Sequence, residues 1–274
     1  MSANIISTEK LARLIGTPNC PVIVDVRPDG NELLPASLRR IAERVNEWAG
    51  SLIGQKVVVT CVHGKERSAG VAAILRSEGV DAETLEGGFA AWRDGGLPVI
   101  DAAKLPERDP QDRTVWVTRA RPKVDRIACP WLIRRFVDPA AVFLFVSPNE
   151  VAGVAERFGA TPFDVDGVFW SHRGEQCTFD TMVEEFGLSS IGALSRLAVI
   201  VRGADTARTE IAPQAAGLLA ASLGLSRMYA DDLEQLEAGM LIYDVFYRWC
   251  RDAVDETHDW VSHKPRQARH PVNA

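Results

Sequence analysis

The stretch KVVVTCVHGKERSAGVAAILRSE, residues 56–78, decides the fold. Lys56–Thr60 is a short apolar run of β-branched residues, which is how a buried strand reads. Cys61–Arg67 is polar and contains a glycine, and the spacing from Ser68 to Glu78 is helical. Strand, loop and helix therefore follow one another directly. Upstream, VIVDV at 22–26 is a second buried strand, ended by the turn formers Pro28, Asp29 and Gly30. Leu38, Ile41, Val45, Trp48 and Leu52 share one face of a helix predicted over 38–52. Downstream, 82–85 supplies a further strand, and Glu86-Gly87-Gly88 turns the chain into a short helix over 89–94 that Gly95, Gly96 and Pro98 stop. Strands alternating with helices predict an α/β domain, a parallel sheet with helices on both faces. Its site belongs at the carboxyl ends of the strands, where Cys61 falls.

The chain has 274 residues, which predicts two domains at about 100 to 200 residues each. The segment DAAKLPERDPQDR, 101–113, is polar and twice broken by proline, as an interdomain linker is. The expected division is a domain over 1–102, a linker over 103–113, a second domain over 114–255 and a basic tail over 256–274. In the second domain 115–118 and 142–146 are strand-like, while 129–137, 179–187, 191–201, 213–223 and 230–254 read as helices. That domain is expected to be α+β and mostly helical.

Hydrophobic residues at 46% and charged residues at 25% exclude a disordered or fibrous chain. Thirty-one Lys and Arg against 37 Asp and Glu give a net charge of −6, which argues against coating nucleic acid by bulk charge. No apolar run reaches about 18 residues, and MSANIISTEKLARLIG lacks the pattern of a secretory signal. A soluble cytoplasmic protein with no membrane partner is the expectation. Five cysteines without a regular framework read as reduced thiols.

The loop Cys61-Val62-His63-Gly64-Lys65-Glu66-Arg67-Ser68 is an anion cradle. Its backbone N–H groups converge, and the following helix adds about half a positive charge at its N-terminus. With Lys65 and Arg67 alongside, Cys61 should ionise below its free pKa of about 8.5. Such a thiolate can carry a sulfane sulfur as a persulfide, or attack phosphorus or an oxyanion such as arsenate; the loop alone permits both. The bland alternative is a small buried hydrophobe after a strand. His63, Lys65 and Glu66 read as solvated rim side chains as readily as catalytic ones.

Residues 1 to about 100 resemble a rhodanese domain. The residues that carry the resemblance are Asp25-Val26-Arg27, Cys61 with Gly64 and Arg67-Ser68, and Leu85-Glu86-Gly87-Gly88-Phe89 with Trp92, Gly96 and Pro98. It implies a sulfurtransferase fold in which Cys61 is catalytic and takes up sulfur, the amides of Val62 to Arg67 hold the persulfide, and Asp25 and Arg27 are structural supports. Substrate-binding roles then fall to Val62, His63, Gly64, Lys65, Glu66 and Ser68. The chain departs from the family in loop length. Cys-x5-Arg is the length found in the related phosphatases and arsenate reductases, where Arg67 would be catalytic and hold two oxygens of an oxyanion. Thr60, however, stands where those phosphatases usually place His.

In the second domain, RARPKVDRIACPWLIRR (119–135) holds six basic residues and one acid. It reads either as a site for an anionic ligand or partner or as a set of structural ion pairs. Pro130 reads as the first position of a helix, with Cys129 packed before it. Asp164, Asp166, His172, Glu175, Cys177 and Asp180 gather metal-competent side chains without a diagnostic spacing, and Asp205 follows. Residues 114 to about 254 resemble the C-terminal domain of the chromate-resistance protein B type. The match rests on 124–136, on Pro162-Phe163-Asp164, on His172 with Cys177-Thr178-Phe179, and on 200–205. It implies a link to chromate resistance, with Asp125, His172 and Asp205 as ligands of a divalent metal. Some relatives have His where Arg202 stands.

The leading expectation is a rhodanese-type sulfurtransferase that forms a persulfide on Cys61, needs no cofactor for that step, and passes sulfur from a sulfane-sulfur donor to a thiol acceptor or cyanide. The alternatives are a chromate-responsive regulator that binds a metal or oxyanion, chromate included, and a Cys-x5-Arg oxyanion reductase or phosphatase. No recognition-helix motif supports a nucleic-acid partner.

Overall fold

The computed structural model describes residues 4–257. The basic tail falls almost wholly outside the described residues. Five parallel strands form the first sheet in the order β1-β6-β5-β2-β4: β1 (Ile5–Ile6), β2 (Val22–Asp25), β4 (Ser37–Arg39), β5 (Lys56–Thr60) and β6 (Asp81–Leu85). β3 (Glu32–Leu33) pairs antiparallel with β7 (Ile100–Asp101). Side chains alternate across the sheet, as the period of a strand requires. Ile23, Val58 and Leu85 face one side, packed with α1 (Thr8–Leu14) and α4 (Gly88–Asp94), while Val24, Val57, Val59 and Ala82 face the other, against α2 (Val45–Trp48) and α3 (Glu66–Ser77). This is the α/β layering expected.

The helix predicted over 38–52 is instead broken. Ser37–Arg39 pairs with β2 as the edge strand β4, and two 3-10 turns, Ala42–Arg44 and Ala49–Leu52, flank the single turn of α2. Backbone pairing with β2 outweighs the helical spacing of the side chains at its start. Val45, Ala49 and Leu52 still bury the face that the spacing picked out.

The second region builds a small parallel sheet with β8 (Val115–Arg119) between β9 (Val142–Val146) and β10 (Thr161–Pro162). Around it lie α5 (Asp125–Leu132), α6 (Val151–Phe158), α7 (Thr178–Glu185), α8 (Gly192–Asp205), α9 (Ala215–Met228) and α10 (Asp232–Asp252). It is α+β and mostly helical. α5 begins five residues before Pro130, so the proline lies inside the helix and not at its start. Val124, at φ 32°, opens it, with its N–H donated to Ser222 Oγ and its carbonyl accepting from the Tyr243 hydroxyl. Pro130 removes one internal donor, and past Leu132 the helix widens into a π turn over Ile133–Val137. Trp131 anchors the interior, its ring centroid 5.5 to 6.4 Å from those of Phe136, Phe179, Tyr243 and Tyr247.

The apolar cluster of this second core is continuous with the α1/α4 side of the first sheet. Phe136 sits on Gly16, and its carbonyl accepts the Ala36 N–H at 2.6 Å. Within 103–113, Asp112 pairs with Arg40 and Arg108 pairs with the buried Asp138. Among the described residues no helix is long and apolar enough to cross a membrane.

Candidate functional site

Cys61 directly follows β5 at the carboxyl edge of the sheet and is only 6% exposed. α3 starts at Glu66 with no side chain capping it. The Cys61 sulfur takes that place, facing the amides of His63, Lys65 and Ser68 and lying 3.1 Å from the Ser68 hydroxyl. Burial alone would push the thiol up, but hydrogen bonds from the Ser68 side chain and from the Ser68, Lys65 and His63 amides outweigh it and leave Cys61 below its ordinary value. The arrangement favours a thiolate.

Glycines hold the loop closed. Gly64 and Gly88 both have positive φ, 65° and 63°, and pack backbone to backbone. A Cβ at Gly88 would fall on the Cys61 carbonyl oxygen and the Gly64 nitrogen. Phe89 and Ala90 donate their N–H groups to the carbonyls of Cys61 and Val62, each at 2.9 Å. Beneath this brace Arg27 pairs with the fully buried Asp25 at 2.6 Å and lies over the Phe89 ring at 3.6 Å. Both residues act as supports.

The loop residues sort into two groups. Gly64 and Ser68 are drawn inward, whereas Val62, His63, Lys65, Glu66 and Arg67 line the exposed or half-exposed rim. The Arg67 guanidinium donates to Glu43 at 2.7 Å and to the Val26 carbonyl at 3.2 Å.

A second cluster forms far along the chain. Asp125, Asp164, His172 and Asp205 converge, with His172 Nε2 lying 3.5 Å from Asp125 Oδ2, 3.5 Å from Asp164 Oδ1 and 3.2 Å from Asp205 Oδ2. Thus the three residues named from the sequence come together, and Asp164 joins them. Asp125 opens α5 and accepts the Thr178 N–H at the start of α7. Asp164 is held at φ 52° by the Thr178 hydroxyl, at 2.9 Å, and by Arg119 and Arg126, both at 3.3 Å. Desolvation, then the charges of Asp205 and Asp164, push Asp125 well above the usual carboxylate range. Hydrogen bonding to Asp164 and then Asp205 holds His172 protonated, its pKa pushed up to about 10. The donor set can hold a metal ion: the ligand atoms of Asp125, Asp164 and His172 lie within 4.8 Å of one another, and buried Asp125 Oδ1 has no hydrogen-bond partner.

Residues 116–250 match the family model described as "ChrB, C-terminal domain". This region is a ChrB C-terminal domain. The chain is also 31% identical over 203 residues to Protein ChrB of Cupriavidus metallidurans, a match covering 68% of this chain and 58% of that protein. The chain thus spans 58% of that relative's length. It is similar to a rhodanese-related protein from Thermoplasma volcanium, at 25% identity and a TM-score of 0.32, covering 35% of this chain and 97% of that one. It is similar as well to a protein of unknown function, titled a possible tyrosine phosphatase, from Rhodopseudomonas palustris: 26% identity, 36% and 85% covered, TM-score 0.31.

Within the ChrB C-terminal domain, five of the six basic residues of 119–135 are spent on internal pairing. Arg119 and Arg126 pair with Asp164, Arg121 with Asp232, Arg134 with Glu237 and Arg135 with Asp244. Arg202 lies 3.8 Å from Asp180 and makes no ion pair with the His172 cluster. Cys129 and Cys177 are buried, their thiols pushed well up first by desolvation and then by the Asp125 charge, which makes both poor nucleophiles. Asp164 is the member of this cluster hardest to place from sequence. Its signal, a metal-competent residue after Pro162-Phe163, is shared by Asp166, and only the turn at 164 separates them.

Proposed function

We propose that this protein is a sulfurtransferase that carries sulfane sulfur on Cys61, working in chromate resistance through its ChrB C-terminal domain. The observation that carries the reading is the Cys61 sulfur, buried yet faced by three amides and the Ser68 hydroxyl. With thiosulfate as donor, the Cys61 thiolate attacks the outer sulfur, the S–S bond to the sulfonate breaks, and sulfite leaves with its electron pair. The persulfide anion that remains spreads its charge over the same amides. An acceptor thiolate or cyanide then takes the terminal sulfur and returns the Cys61 thiolate, so no external oxidant is needed. Oxyanion chemistry is less well supported, because the Arg67 guanidinium is engaged by Glu43 and Val26.

Intact mass after incubation with thiosulfate tests the proposal. One added sulfur is expected on the wild type, none on Cys61→Ser, and cyanide should discharge it as thiocyanate. Turnover of an aryl phosphate or arsenate with no sulfur adduct would overturn it.

A further inference from the structure

The cluster around His172 takes no part in the chemistry of Cys61. One imidazole nitrogen there faces three carboxylate oxygens at 3.2 to 3.5 Å. An Nε2–H carries a single hydrogen and cannot serve three acceptors, and two of the distances exceed the roughly 2.7 to 3.2 Å of a good N–H···O bond. Each of these three distances matches the separation of two ligands that share one ion, and the ligand atoms of Asp125, Asp164 and His172 lie within 4.8 Å of one another. Donors about 2.0 to 2.2 Å from a tetrahedral metal stand about 3.3 to 3.6 Å from each other. Asp125 is fully buried with its carboxylate turned into the cluster, and its Oδ1 has no partner. An orphaned carboxylate oxygen in such a place is costly unless something cationic meets it.

We propose that Asp125, Asp164 and His172, with Asp205 closing in from beside His172, bind one divalent first-row transition cation, of the Mn²⁺, Fe²⁺ or Zn²⁺ class. Three carboxylate oxygens with one imidazole form a mixed donor set, harder than the thiolate sites that select Cu⁺ and softer than the all-oxygen cages of Ca²⁺. The outer shell is present: the Thr178 hydroxyl and Arg119 fix Asp164, and the Thr178 amide fixes Asp125. His172, at 40% exposed, gives the ion a way in. The ligands come from the start of α5, the two sides of the 164–172 loop and the end of α8, so the cation would clip three separate segments together.

Titration of the full-length Cys61→Ser chain with Mn²⁺, followed by the loss of the free-ion electron paramagnetic resonance signal, tests this without interference from the reactive thiol. About one Mn²⁺ per chain is expected, with Tm rising as Mn²⁺ is added and Zn²⁺ competing for the same site. His172→Ala and Asp205→Asn, both at partly exposed positions, should each weaken binding tenfold or more while keeping the native circular dichroism. In the unsubstituted protein, Mn²⁺ should broaden the His172 imidazole resonances before those of His63. Absence of binding up to 1 mM of either ion, binding indifferent to His172→Ala, or broadening at His63 first would each overturn the proposal. Because Cys61 is absent from the titrated chain, failure here leaves the sulfur-transfer reading untouched.

Discussion

At the start of α3 the Cys61 sulfur accepts where a capping side chain ordinarily would, and the Ser68 hydroxyl adds to the amides that face it. That hydroxyl lies between the sulfur, at 3.1 Å, and the Lys65 carbonyl, also at 3.1 Å, and its one hydrogen can serve only one of them at a time. Ionisation of Cys61 draws that hydrogen to sulfur. Hydrogen bonds to a charged group contribute about 1.5 to 3 kcal/mol, and one pH unit is about 1.4 kcal/mol. Ser68→Ala should therefore raise the Cys61 pKa by about one to two pH units. The thiolate is the form that reacts, so the rate is flat above the depressed pKa and falls as pH drops through it. In Ser68→Ala that falling limb moves to higher pH. Iodoacetamide alkylation of Cys61 as a function of pH, read by mass, checks this; superimposable profiles would show that the amides alone hold the thiolate. Cys61 was legible in the sequence because the nucleophile and its cradle are consecutive residues. The His172 cluster was legible only in part, because 80 residues separate Asp125 from Asp205 and the left-handed turn that aims Asp164 leaves no mark in spacing.

The brace between the Cys61 loop and α4 works through backbone, so its test is a residue without any side chain. Gly88 has φ 63°, which costs an L-residue roughly 1 to 2 kcal/mol, and its Cα faces the Cys61 carbonyl and the Gly64 nitrogen. Neither neighbour is a flexible side chain that could move aside. Gly88→Ala should push α4 away from the loop, loosen the Phe89 and Ala90 hydrogen bonds, and cut the rate of sulfur loading at Cys61 by about tenfold or more, with a lower Tm. A fall in Tm with loading unchanged would mean that the loop keeps its shape without α4. Elements like β2 and β5 are plain in the sequence because both faces of a central parallel strand are buried, which writes an unbroken β-branched run. The edge strand β4 is not. Its three residues earn their conformation from β2 alone, and α6 likewise escapes notice because only Val151 of its eight residues is buried. The sequence of α5 misleads for another reason, since Pro130 is tolerated inside a helix that the core already surrounds on every side.

The two halves of the molecule share one apolar interior, and Phe136 is where the sharing is tightest. Its ring rests on Gly16, at φ 80°, where any Cβ would overlap the ring, and its carbonyl is bound to Ala36 beside the edge strand. Around it the cluster runs without interruption from Leu11, Ile15 and Trp92 beside the first sheet to Trp131, Phe179 and Tyr247 of the ChrB C-terminal domain. Unfolding either part alone would expose the apolar face of the other, a cost that grows with area at about 25 cal/mol per Å². A single calorimetric transition is therefore expected for the full chain, with the calorimetric and van't Hoff enthalpies equal. Phe136→Ala removes a buried ring at the junction and should cost about 3 to 5 kcal/mol, a drop in Tm of roughly 10 °C. The substitution also weakens what makes the transition single, so the melt should broaden or divide, with alkylation of Cys61 reporting the first domain and Trp131 fluorescence the second. Two transitions already resolved in the wild type, or a Phe136→Ala chain that melts as one sharp unit with an unaltered midpoint, would mean that each half is held by its own core and that the contact at Gly16 is incidental.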